Sequence, residues 1–163
     1  MPPIVSIIGE SKSGKTTLIE KLLLELTSRG YRVATIKHTV HKLSFDKAGK
    51  DSWRHLQSGS GATAIVSPYE VVMIKSVSKE PDLNEIARLF NEEYDIILTE
   101  GFKESVAPKI EVHRKAASPP LSGIKNVVAM ATDEPLETNI RQFSLNNVKA
   151  IADFLESEYI KGR

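Results

Sequence analysis

Apolar residues fall into two rhythms along this chain, short continuous runs and stripes at helical spacing, and the two alternate. Ile4–Ile8 is a near-continuous apolar run, the pattern of a strand covered on both faces. In Lys15–Ser28, residues Leu18, Ile19, Leu22, Leu23 and Leu26 recur at helical spacing and form one apolar face. Gly30 is placed to cap that helix. Arg32–Lys37 reads as a second strand and Asp51–Gln57 as a short helix. Ala62–Ser67 and Glu70–Val77 are β-rich and separated by Pro68-Tyr69, which predicts a hairpin. Asp82, with Glu85 three residues later, predicts a capping box and a helix that buries Ile86, Leu89 and Phe90. Asp95–Thr99, Lys109–His113 and Val127–Thr132 are further buried strands, and Val148, Ile151, Ala152 and Leu155 make the last helix amphipathic. Thr39–Lys50, Lys115–Lys125 and Asp133–Phe143 show no regular pattern.

Between the first strand and the first helix lies Gly9-Glu10-Ser11-Lys12-Ser13-Gly14-Lys15-Thr16. This is a G-x-x-x-x-G-K-T string in the strand–loop–helix context that gives it meaning as a phosphate-binding loop. The two glycines permit backbone conformations that a Cβ obstructs. The amides from Ser11 to Thr16 can then turn inward around a phosphate at a helix N-terminus. Lys15 is expected to reach the β- and γ-phosphates, Thr16 to ligate Mg²⁺, and Thr17 to contact the α-phosphate. The fold expected is α/β, a three-layer P-loop NTPase fold. It has a mostly parallel central sheet and an added β-hairpin, in a single domain over residues 1–163.

Such a site needs a carboxylate facing the metal at the end of a buried strand. Asp95-Ile96-Ile97-Leu98-Thr99-Glu100-Gly101 supplies Glu100, preferred to Asp95 because Asp95 begins the strand at the far end. Asp46, in the charged loop after the second strand, is a second candidate for orienting a water or the hydrated metal. Lys37, Lys50 and Arg54 are candidates for neutralising phosphate charge. His38 and His41 have no clear third partner for a zinc site. His113 and Trp53 read as structural. The chain lacks the Asn-Lys-x-Asp string that reads guanine in many GTP-binding proteins. Asp133, after a late strand, is the candidate guanine reader, and the opening of a turn before Pro135 is its competing role.

Charge narrows the partners. Twenty-two basic against 21 acidic residues leave a net charge of +1, without the basic excess expected for bulk nucleic-acid binding. No cysteine is present, so a thiolate metal site and a disulfide framework are excluded, as suits a cytoplasmic protein. The apolar start, Pro2-Pro3-Ile4-Val5, has no basic lead-in and reads as a first strand instead of a signal peptide. No apolar run is long enough to span a bilayer.

Several strings beyond the loop occur in a specific order: Thr35-Ile36-Lys37-His38, Asp46-Lys47-Ala48-Gly49-Lys50-Asp51-Ser52, Thr99-Glu100-Gly101-Phe102-Lys103 and Pro108-Lys109-Ile110-Glu111-Val112. Together with Gly9–Thr17 they resemble the molybdopterin-guanine dinucleotide biosynthesis protein B (MobB) family, over most of the chain from Ile4 to about Pro135. The resemblance implies a GTP-binding, homodimeric accessory protein with weak Mg²⁺-dependent GTPase activity. Such a protein assists the molybdopterin guanylyltransferase that joins GMP to molybdopterin. Two departures bear on chemistry. Some wider relatives carry a second lysine where Glu10 stands, and no catalytic glutamine or arginine finger is evident, so slow turnover is expected. The competing functions are an ATP-dependent small-molecule kinase and a metal-insertion GTPase. The kinase would draw on Arg114, Lys115 and Arg141 but lacks an evident lid helix. The metal-insertion reading is weakened by the absence of cysteine.

Overall fold

The structure, a computed structural model, describes residues 1–41, 43, 46–90, 93–117 and 119–161. Lys42, Ser44, Phe45 and Ser118, within the irregular stretches named above, lie outside the described residues. The chain forms two compact units, one of Met1–His38 and Asp82–Arg163, the other of Thr39–Pro81.

The larger unit is built on a six-stranded parallel sheet. In chain order its elements are β1 (Ile4–Ile8), α1 (Lys15–Ser28), β2 (Val33–Lys37), α3 (Leu83–Ala87), β5 (Ile96–Glu100), β6 (Lys109–His113), β7 (Val127–Thr132), β8 (Arg141–Ser144) and α4 (Val148–Leu155). Strand order across the sheet is β2-β5-β1-β6-β7-β8, and every pairing is parallel. All strands therefore end at one edge, and the loops that follow them gather there.

One face of the sheet carries α1 and α4. Leu18, Ile19, Leu22 and Leu26 of α1 and Ile151, Ala152 and Leu155 of α4 pack onto Val5, Ile7, Ile96, Leu98, Ile110 and Val112. The predicted apolar stripes of both helices are the stripes that are buried. Gly30 ends α1 as expected: at φ 88° it turns the chain so that its N–H reaches Thr27 O and the Tyr31 N–H reaches Leu26 O.

On the opposite face Leu83 and Ala87 of α3 pack against Ala34, Ile36 and Ile97. The capping box is present, with Asp82 accepting from Glu85 N–H and Glu85 from Asp82 N–H. The expected buried face is corrected at Leu89. The α-helix stops at Ala87 and tightens into a 3₁₀ turn, Arg88–Phe90, which turns Leu89 outward to 72% exposure. Ile86 and Phe90 pack partly buried against this core as expected, and Leu83 and Ala87 join them as its buried residues. A second correction is β8, which lies within and just past a stretch that showed no pattern. It is a four-residue outermost strand, only half-buried at Gln142 and Phe143, so its alternation is too faint to stand out.

Beyond the α1/α4 layer a charged cluster locks the last helix. Arg29 bonds Glu25 and Glu156 and pairs with Asp153, while Tyr31 OH donates to Glu156 and Lys161 pairs with it. Lys161, Tyr31 and Arg29 together hold the Glu156 carboxyl down at about 2, from an ordinary 4.5. A carboxyl depressed on folding stabilises the fold above its unfolded value and loses that contribution as pH falls through its folded value. The melting temperature of the Glu156→Gln variant is therefore expected to fall less steeply than that of the parent between pH 4.5 and pH 2. Parallel curves, followed by circular dichroism, would contradict this.

The smaller unit contains α2 (Asp51–Gln57) and an antiparallel hairpin of β3 (Ala62–Val66) and β4 (Val71–Lys75). The hairpin matches its expected place. Its Val66, Tyr69, Val71 and Met73 are exposed.

Candidate nucleotide-binding site

The loop after β1 is shaped by backbone that glycine tolerates best. Gly9 has φ 148°, Gly14 φ 102° and Lys12 φ 63°. The Ser13 N–H closes a tight turn onto Glu10 O at 3.3 Å, and α1 starts at Lys15 with the Leu18 N–H bonded to Gly14 O. No side chain caps this helix, so its first amides stay available to an anion. Lys15 Nζ lies across the loop, donating to Gly9 O (3.2 Å) and Glu10 O (2.7 Å). Burial lowers the Lys15 pKa below its ordinary value, and the nearby Glu100 charge opposes that shift.

Thr16 Oγ1 donates to Glu100 Oε2 at 3.0 Å, across 84 residues of sequence. The parallel sheet makes this contact, because β5 lies beside β1 and both end at the same edge. Asp95 lies at the opposite edge, where it accepts from the Arg32 N–H and pairs with the Arg32 guanidinium. A hydroxyl and a carboxylate so placed are hard oxygen donors. They suit a Mg²⁺ ion that keeps most of its shell as water and phosphate oxygen. Lys37 Nζ approaches the other Glu100 oxygen at 3.5 Å.

Two of the ordered sequence strings, Thr35–His38 and Thr99–Lys103, meet at this edge. The His38 N–H donates to Glu100 O, and the His38 ring lies 4.9 Å from the Phe102 ring. Gly101, at φ 97°, sits where a Cβ would come within 3.1 Å of His38 Cβ. Lys103 reaches back to Glu10 at 3.4 Å. On β6, Lys109, Glu111 and His113 point to one face and are almost wholly buried. Lys109 Nζ donates to Ser105 O and Ala107 O, Glu111 accepts the Leu121 N–H at 2.7 Å, and His113 Nε2 lies 3.1 Å from Glu134 Oε1. Burial pushes the Glu111 carboxyl up, with the Leu121 N–H opposing it.

Asp133, just past β7, accepts the Lys115 N–H at 2.9 Å and is exposed. Ser11, Lys12 and Thr17 are exposed on the loop and first helical turn. Asp46 belongs to the smaller unit, where Ser52 Oγ donates to it at 3.1 Å. His41, Lys50 and Arg54 are in that unit too. Among the described residues, no three His, Asp or Glu side chains gather into a metal-binding group. No helix among them is long and apolar enough to cross a membrane.

Sequence reasoning weighed Arg114 only as a kinase-lid residue, yet its Nε donates to Ser13 O at 2.9 Å in the phosphate loop. The Glu10–Lys103 pair was missed as well. Both depend on which strand lies beside β1, and strand order leaves no trace in local pattern.

Known proteins resemble this chain in sequence and in fold. Residues 4–133 match the family described as Molybdopterin guanine dinucleotide synthesis protein B. A molybdopterin-guanine dinucleotide biosynthesis adapter protein of Haemophilus influenzae is 40% identical over 157 residues, covering 95% of this chain and 88% of that relative. The protein of that name in Escherichia coli K12 is 33% identical over 161 residues, covering 95% and 92%. A crystal structure of molybdopterin-guanine biosynthesis protein B superposes with TM-score 0.76 at 33% identity, over 94% of this chain and 98% of that one. Bacillus subtilis MobB superposes with TM-score 0.76 at 25% identity, over 99% of each. With the ordered strings and the six-stranded parallel sheet, these matches establish that the chain belongs to the MobB family.

Proposed function

We propose that this protein is a GTP-binding adapter in molybdopterin-guanine dinucleotide biosynthesis. In this reading it works beside a molybdopterin guanylyltransferase and hydrolyses GTP slowly. The observation that carries the nucleotide reading is the joining of Thr16 to Glu100 at 3.0 Å beside an uncapped, glycine-shaped helix start. That juxtaposition suits a Mg²⁺-triphosphate: amides and Lys15 meet the phosphates, while Thr16 and Glu100 meet the ion's shell. The ion would neutralise charge on the β- and γ-oxygens. Asp133 is the guanine reader in this scheme, since its carboxylate is exposed at the same edge of the sheet. The adapter role is supported by the names of the Haemophilus influenzae and Escherichia coli relatives. The exposed apolar hairpin, with strand edges open to pairing, is the surface we assign to a second copy of the chain.

Slow turnover follows from the charges present. Lys15 feels the Glu100 charge, and Lys37 is already paired to that carboxylate. Few dedicated groups remain to stabilise charge developing in the transition state.

The test is calorimetric titration with GTP and ATP, in Mg²⁺ and in EDTA, on the parent and on Glu100→Gln. Parent protein is expected to prefer GTP. The variant is expected to lose roughly ten-fold in affinity when Mg²⁺ is present and little in EDTA, the scale of one charge-assisted contact. Equal losses in both conditions would remove Glu100 from the metal, and ATP preference would remove Asp133 from the base.

A further inference from the structure

We propose that Arg114 is a nucleotide-binding residue, its guanidinium providing the flat surface on which the purine base stacks between the phosphate loop and Asp133. This rests on the nucleotide reading given above and extends it to a residue that no phosphate-loop pattern contains.

The argument begins with how the side chain is anchored. Arg114 follows directly on β6, the strand beside β1. Its Nε donates to Ser13 O at 2.9 Å. A Cβ built on Gly14 would lie 3.1 Å from Nε and 3.3 Å from Nη2, but 3.7 Å from Cζ. Two nitrogens nearer than the carbon that joins them means that the group meets the loop with its edge. A guanidinium held by one edge keeps its two planar faces unengaged by that contact. Arg114 is exposed overall, so solvent or a ligand can reach it.

The neighbouring contacts fix the turn that carries this side chain. The next residue, Lys115, donates its N–H to Asp133 at 2.9 Å, and Lys115 Nζ pairs with Glu134 at 3.3 Å. His113, one residue before, is tied to Glu134. The turn that carries Arg114 is thus pinned to the phosphate loop on one side and to the base-reading carboxylate on the other. A nucleotide spanning these two points passes Arg114. Planar, weakly hydrated guanidinium groups stack on aromatic faces, and a purine offers such a face. The same cation could instead serve the α-phosphate, and the experiment separates the two.

Arg114→Lys and Arg114→Ala are titrated calorimetrically with GTP and with inorganic tripolyphosphate, beside the parent. Lysine keeps the charge and a donor for Ser13 O but removes the plane. Both variants are expected to bind GTP roughly ten-fold more weakly, with tripolyphosphate affinity unchanged within about two-fold and the lysine variant melting close to the parent. Equal loss for both ligands would overturn the proposal by assigning Arg114 to phosphate. Retention of GTP affinity in the lysine variant would overturn it by assigning the effect to charge. A parent that binds both ligands while all variants do the same overturns this proposal alone. A parent that binds neither ligand overturns it together with the nucleotide reading.

Discussion

Lys15→Ala is expected to weaken GTP binding on the order of 100-fold or more while the melting temperature stays within a few degrees of the parent. The affinity loss follows from position. Lys15 Nζ lies across the loop on Gly9 O and Glu10 O, close enough to Glu100 to feel its charge. A triphosphate seated in the loop would exchange those two carbonyls for phosphate oxygens. Removing one partner of a close, partly desolvated charge pair costs about 2–5 kcal/mol, which sets the factor. The fold depends on Lys15 far less. What is lost without ligand is two hydrogen bonds to carbonyls at the rim of a loop, together about 1 kcal/mol once the opposing cost of burying the ammonium is counted. In a chain of this size that corresponds to about 2–4 °C per kcal/mol. Calorimetry with Mg²⁺-GTP and a circular-dichroism melt provide both readings. Affinity within three-fold of the parent would end the nucleotide assignment.

Gly9→Ala is expected to do the reverse, damaging the fold first and the site with it. A Cβ at Gly9 would lie 2.4 Å from Val112 O and 2.7 Å from Ser13 Oγ, at φ 148°. The serine could move, but Val112 O belongs to β6, a central strand paired on both sides. The backbone strain at such a φ costs about 1–3 kcal/mol, and forced overpacking about 1–3 more. A fall of about 10 °C in melting temperature is the expected scale. A Gly9→Ala protein that melts with the parent would mean that the first strand and β6 are further apart than described.

Most of the fold could be read from local pattern. The stripe Leu18, Ile19, Leu22, Leu26 and the run Ile4–Ile8 are unambiguous because helix and strand periods differ. The capping box at Asp82 and Glu85 identified a helix start, but its end was missed because a 3₁₀ turn leaves no separate signature at Arg88–Phe90. β8 escaped because an edge strand shows half the apolar pattern of a central one. In the candidate site the phosphate loop was legible since all its parts are contiguous. Glu100 was legible through its strand. Arg114 was not, because its meaning comes from Ser13, 101 residues away. Asp133 was chosen by its place after a late strand, and the bond from the Lys115 N–H shows a tether between neighbouring strand ends that local spacing could not reveal.

The three ionisable side chains of β6 have a consequence for assembly of the molecule. Each is satisfied by a different crossing segment: Lys109 by carbonyls that precede the strand, Glu111 by an amide that follows it, and His113 by the stretch beyond β7. Until those segments settle, water is the better environment for all three groups. The innermost ribbon of the sheet therefore dries last on that side, whereas its other side can condense onto the first helix early. On that reasoning the side facing the first helix is expected to condense before irregular chain closes over this charged seam.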